Sequence, residues 1–136
     1  MEDREKQIAA EEAFVRAFVC KRLRARMLYE FSRERDKAFS RLAHQAWQVL
    51  VPETVWQKSE KITPEEVRTA LAGDGKEGEV WLLTPDLAAF LPLSEAVSRS
   101  MDEASPSVIL AGPRAFVKEE QVFGAPLKYI LKKSGG

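Results

Sequence analysis

Apolar residues change their period along this chain, and the changes divide it into an all-helical first third and a remainder where helical and extended patterns alternate. From Glu2 to Phe31 there is no Pro or Gly, and Ala, Glu, Arg, Lys and Leu dominate, which predicts one long helix. At about 100° per residue, Ala10, Phe14, Ala17, Phe18, Ala25, Leu28 and Tyr29 gather on one side, and Val15, Val19, Leu23, Met27 and Phe31 occupy much of the rest. A helix apolar over so wide an arc is expected to pack on more than one side, or to bury one side against a second copy of the chain.

Ser32 to Asp36 lacks apolar anchors. Phe39, Leu42, Ala43, Ala46, Trp47 and Leu50 then recur at helical spacing up to Pro52, predicting a second helix capped by Ser32 or Asp36 and folded against the first as a hairpin. Residues 52–62 show no clean period and read as a connector anchored by Val55 and Trp56. Thr63-Pro64-Glu65-Glu66 combines a capping residue, a Pro at the first helical position and a Glu three residues after the cap, so a helix starts there and stops at Gly73.

Beyond a turn at Asp74–Gly78, Glu79–Thr84 reads as a buried strand closed by Pro85, Leu93–Ala104 as a helix capped by Ser94, and Ser107–Ala111 as a second strand. Strand, helix and strand over about thirty residues is the length of a βαβ unit with parallel strands. Ala115–Lys118 continues the sheet. After a turn over Gln121–Pro126, Leu127–Leu131 has the spacing of an edge strand with its lysines outward.

The fold class expected is α+β: an N-terminal helical hairpin packed with a small mixed sheet of three or four strands containing one βαβ unit. At 136 residues this is one domain, with a helical part over 1–51, an α/β part over 63–131 and a frayed tail over 132–136. Trp47, Trp56 and Trp81 are expected to meet in one apolar cluster.

Composition narrows the function classes. Apolar residues at 45% and charged residues at 31% suit a globular chain. The N-terminus lacks the basic and apolar regions of a secretory signal, no apolar run reaches the ~18 residues of a membrane span, and a single Cys excludes an intrachain disulfide, so a cytoplasmic address and no membrane contact are expected. The 21 basic and 21 acidic residues cancel, and the pI is about 6.6. The charge is nevertheless blocked: residues 16–41 carry nine bases against three acids, and residues 52–104 carry eleven acids against five bases. Internal pairing between these blocks, with Glu60, Glu65 and Glu66 as the acids, is the simplest account of them.

No constellation fixes a reaction. Cys20 and His44, the only thiol and the only imidazole, stand equally far from the bend near Ser32 and could face each other, but Cys20 has no acid neighbour to complete a nucleophile. The acidic doublets diverge on a helix and converge on no metal, glycine-rich phosphate loops are missing, and no cofactor is implied. Gly112-Pro113-Arg114 places a cation at a strand end, in what reads as a hairpin turn.

The remaining candidate is the basic segment. Arg22, Arg26 and Arg33 fall within about 40° on a helical projection, and Arg35, Lys37 and Arg41 extend the stripe past the bend, with Phe31 and Phe39 offering aromatic rings. The expectation leans away from an enzyme, toward a small interaction or regulatory module that contacts a protein partner or itself through a helical or sheet-edge surface. Arg22, Arg26, Arg33, Arg35, Arg41 and Arg114 are the candidate binding residues. The alternative is a nucleic-acid-associated protein using segment 16–41 for phosphate contacts.

Overall fold

A computed structural model describes residues 2–73, 78–120 and 124–133. Among these residues the architecture is α+β, with five α-helices and a six-stranded sheet. The helices are α1 (Glu2–Phe18), α2 (Arg24–Arg33), α3 (Arg35–Val49), α4 (Pro64–Ala72) and α5 (Leu93–Asp102). The strands are β1 (Val55–Ser59), β2 (Glu79–Leu83), β3 (Ala88–Pro92), β4 (Ser107–Ala111), β5 (Arg114–Lys118) and β6 (Lys128–Lys132).

The sheet runs β1-β6-β5-β4-β2-β3, and every neighbouring pair is antiparallel. This corrects the mixed three- or four-stranded sheet and its βαβ unit. The reason is β3. It returns antiparallel along β2 before α5 begins, so the chain leaves the helix at the opposite end and β4 lies antiparallel to β2. The connector expected over 52–62 contains β1, and β1 covers β6, which is therefore an interior strand; Lys128 is buried, with Nζ donating to the Glu60 carbonyl at 2.7 Å.

Alternation along the strands divides two cores. Trp81, Leu83, Val108, Leu110, Ala115, Val117, Tyr129 and Leu131 face α1, α2 and α3. Val80, Leu82, Ile109, Phe116 and Ile130 face α4 and α5. The sheet is thus the middle of three layers.

The long first helix is interrupted. Val19 forms an isolated antiparallel bridge with Leu50, Cys20 N–H donates to the Val49 carbonyl at 2.8 Å, Val51 N–H donates to the Phe18 carbonyl at 2.8 Å, and a short 3-10 turn covers Lys21–Leu23. Long-range backbone pairing overrides local helix propensity here. The two apolar sides of the segment are consumed inside the molecule: Phe14, Val15, Phe18, Val19, Met27 and Phe31 are all buried in one core.

The bend before α3 falls at Glu34, which caps without a side-chain bond, so neither Ser32 nor Asp36 acts as expected. Helix α5 begins directly after Pro92, and not from a Ser94 cap. At α4 the capping box is present: Thr63 Oγ1 accepts from Glu66 N–H and Glu66 Oε1 accepts from Thr63 N–H, both at 3.1 Å. Gly73, at φ 62°, ends that helix where the Arg114 guanidinium packs 3.4 Å from the position a Cβ would take. The turn expected at Asp74–Gly78 falls on 74–77, outside the described residues, as do 121–123 of the last turn and 134–136 of the tail. Lys132 belongs to β6.

Helix α3 has a kink with an identifiable cause. Gln45 takes non-helical angles (φ −135°, ψ 29°), and the segment after β5 inserts there: Ala46 N–H donates to Glu119 Oε2 at 3.2 Å, and Glu120 N–H donates to the Ala43 carbonyl at 2.9 Å. The other Glu119 oxygen accepts the buried Tyr129 hydroxyl at 2.6 Å. Burial and this bond both raise the Tyr129 pKa above its ordinary value.

Candidate functional site

The six arginines singled out from the sequence separate into two groups. Arg35, Arg41 and Arg114 are structural. Arg35 donates from Nε to Glu11 Oε2 at 3.1 Å and from Nη2 to Oε1 at 3.4 Å, clamping the second bend to α1. Arg41 grips Glu30 in the same bidentate way, at 2.7 and 3.0 Å, and so locks α2 to α3. Arg114 donates from Nη1 to the Ala70 carbonyl at 2.6 Å, satisfying a carbonyl near the C-terminal end of α4.

The two carboxylates answer their environments differently. Burial dominates at Glu11 and pushes its carboxyl above the ordinary value, although Arg35 and the indole N–H of Trp81, 3.1 Å from Oε2, both favour the charge. At Glu30 the hydrogen bonds from Arg41 win, and the carboxyl is held below the ordinary value. The acids that pair with the basic segment are therefore Glu11, Glu12, Glu30 and Glu34, within it or close to it in the chain, and not Glu60, Glu65 and Glu66. Glu66 is occupied by the cap of α4 and by Gln57 Nε2 at 2.9 Å.

Arg22, Arg26 and Arg33 are exposed and have no side-chain hydrogen bond or ion pair among the described residues. Arg26, Tyr29 and Arg33, at i, i+3 and i+7, share the outer face of α2, turned away from its buried Met27 and Phe31, with the buried Glu30 one turn on from Arg26, and Arg22 lies in the turn just before the helix. Tyr29 is 59% exposed. The projection of an unbroken helix put Tyr29 on the packed side, and the interruption at Val19–Leu23 turns it outward. Phe31 and Phe39, as is more common for aromatics at helical spacing, are buried and half-buried in the core.

The tryptophans do not converge. Trp81 is buried, whereas Trp47 and Trp56 are 56% and 57% exposed, with Lys58 Nζ 3.8 Å from the Trp47 ring and Lys132 Nζ 3.4 Å from the Trp56 ring. Cys20 and His44 do not meet either. Cys20 Sγ lies 3.8 Å from the Gln48 carbonyl, and His44 Nε2 lies 3.4 Å from Glu120 Oε2. Among the described residues no three His, Cys, Asp or Glu side chains gather as a metal site, and no helix is long and apolar enough to cross a membrane.

A cleft of about 830 Å³ opens between α1, α2 and the β2–β3 hairpin, with the Glu11–Arg35 pair and Trp81 among its lining residues. It was missed in the sequence because β3 was missed. One signal was available: Glu11 falls at i−3, i−4 and i−7 from Phe14, Val15 and Phe18, a charge inside an apolar stripe.

No family model, curated protein or solved structure matches the chain.

Proposed function

We propose that this protein is a non-catalytic interaction module whose outer α2 face, Arg22, Arg26, Tyr29 and Arg33, binds an acidic surface of a protein partner. The observation that carries the reading is Tyr29, held out of the core on the same face as guanidiniums that make no ion pair among the described residues. Tyr and Arg are the residue types that most often carry binding energy at interfaces, and a ring presented among cations supplies apolar area inside a charged rim.

Nucleic acid is the second reading, favoured by the same exposed ring, on which a base could stack while the arginines meet phosphates. The balanced net charge weighs against it. The two separate on a titration by fluorescence anisotropy with an acidic peptide of alternating Glu and Leu and with an oligothymidine strand, each at low and moderate salt. Under the protein reading the peptide binds, Tyr29→Ala weakens it about tenfold, and Arg26→Glu with Arg33→Glu abolishes it. Preferential binding of the oligonucleotide, lost steeply with salt, would put nucleic acid first. Binding of neither at low salt would sink both.

A further inference from the structure

We propose that the free edge of β3, together with the cleft beside it, is a second docking site that takes an extended peptide of alternating apolar and basic residues from a partner protein as a seventh strand. The two edges of the sheet differ. Strand β1 is guarded by a bulge between Val55 and Gln57 and by the exposed Lys58. Strand β3, Ala88-Ala89-Phe90-Leu91-Pro92, pairs with β2 in unbroken register, carries no charge, and has no neighbour on its outer side among the described residues.

The phase of the β2–β3 ladder shows which groups that edge offers. Thr84 N–H donates to the Leu87 carbonyl at 2.8 Å, and Leu93 N–H donates to the Gly78 carbonyl at 3.2 Å. These pairs lie just beyond the two ends of the register, and hydrogen-bonded pairs alternate with non-bonded ones. Ala89 and Leu91 therefore bond inward to Leu82 and Val80, while the N–H and C=O groups of Ala88 and Phe90 point to the open side. Side chains of the same two residues belong to the cleft face: the Phe90 ring packs on Trp81 at 4.7 Å between centroids, and Ala88 and Phe90 both line the cleft. An incoming strand thus places the residues opposite Ala88 and Phe90, two apart in its own sequence, toward the cleft.

Charge selects the occupant. The cleft is lined by four carboxylates, Asp3, Glu11, Glu12 and Glu79, against two guanidiniums, Arg4 and Arg35; the Glu11–Arg35 pair is closed on itself and Glu12 lies 3.8 Å from Arg16, which leaves Asp3 and Glu79 against Arg4. A basic strand is favoured there. A second copy of this chain pairing through its own β3 would bring the same carboxylates toward the first set and add no cation of its own from that strand. Main-chain bonds would give affinity and the cleft specificity, as in other strand-addition complexes.

The test uses a labelled nine-residue peptide of alternating Lys and Val, the same peptide with Glu for Lys, and the full chain. Ala88→Pro removes one outward N–H and leaves the inward bonds of Ala89 and Leu91 in place; Ala88→Lys, at an exposed position, adds a cation to the cleft edge and serves if the proline variant fails to fold. The expected result is binding of the Lys peptide, at least a tenfold loss in either variant with unchanged thermal midpoint, and new exchange protection of the Ala88 and Phe90 amides on binding. Equal binding of the Glu peptide, or undiminished binding by both variants, overturns the proposal. Sedimentation showing that the chain alone dimerises, and that Ala88→Lys abolishes the dimer, would assign the edge to a second copy and overturn it as well.

Discussion

Glu119→Ala is expected to be among the most destabilising single changes on the α3 side of the sheet, although the residue looks like an ordinary charge in the sequence. Its carboxylate accepts from two donors that are both out of reach of solvent, the Tyr129 hydroxyl at 2.6 Å and the Ala46 N–H at 3.2 Å. A buried donor without an acceptor costs about 1–3 kcal/mol, so two orphans give about 2–6 kcal/mol, with the lower half reached if water enters the vacated space. Tyr129→Phe removes only one donor and leaves the carboxylate its bond to Ala46, for about 1–2 kcal/mol. The sign of the coupling is the sharper statement. In Glu119→Ala the Tyr129 hydroxyl is a liability, so adding Tyr129→Phe removes an orphan, and the double variant should be no less stable than Glu119→Ala alone. Urea unfolding followed by tryptophan fluorescence measures all three, and hydrogen exchange at the Ala46 amide reads the kink directly. Strictly additive losses, or an Ala46 amide that stays protected in Glu119→Ala, would refute the claim that this carboxylate holds α3 open at Gln45.

Arg41→Met strands the buried Glu30 carboxylate and should cost about 2–4 kcal/mol, toward the low end for buried pairs because the arginine is partly exposed; Glu30→Met with Arg41→Met should recover most of it, as read from denaturation midpoints. The two buried acids of the helical layer should show opposite pH dependence. Glu30, held below the ordinary value of 4.5, contributes stability that is present above that pH and lost as pH falls through its lowered folded value, so Glu30→Gln should flatten acid unfolding there. Glu11 lies above 4.5, so its ionisation costs stability as pH rises from 4.5 through its raised value, and Glu11→Gln should lose less than wild type over that window in chemical denaturation at stepped pH. Thr63→Ala should cost about 1 kcal/mol through loss of the α4 cap, visible as a shift in denaturant midpoint without a change in slope.

Local signals were legible and long-range ones were not. The α3 period from Phe39 to Leu50 and the Thr63 capping box each depend on residues within a few positions, and both elements stand where the pattern puts them. The break after Phe18 depends on Leu50, some thirty residues away, pulling Val19 into a bridge, and nothing in the local composition announces it. Strand β3 was hidden by its residues: alanines and a terminal proline are poor strand formers, so Ala88–Pro92 reads as loop, and its omission alone assigned to β2 the α5 crossover that runs from β3 over β2 to β4, making the antiparallel neighbours β2 and β4 read as parallel. The candidate site was half legible. The basic face was visible as composition, but which arginines remain available depends on where Glu11 and Glu30 are carried by the packing of α1, α2 and α3.

That dependence explains why the arginine stripe divides as it does. An acid placed inside an apolar helical stripe is dragged into the core with its neighbours and must take a cation with it, because an unpaired buried charge is far costlier than a solvated one. Glu11 and Glu30 stand on such stripes, and each captures the arginine its bend brings within reach, Arg35 and Arg41. Arg26 and Arg33 stand on the exposed side of α2 and Arg22 in the turn before it; the Glu30 carboxylate one turn from Arg26 is already gripped by Arg41, so all three are left without an ion pair among the described residues. Their availability is thus fixed by the same hydrophobic pattern that builds the three-helix layer. The exposed Tyr29 in their midst is the one feature of that face the layer itself does not require.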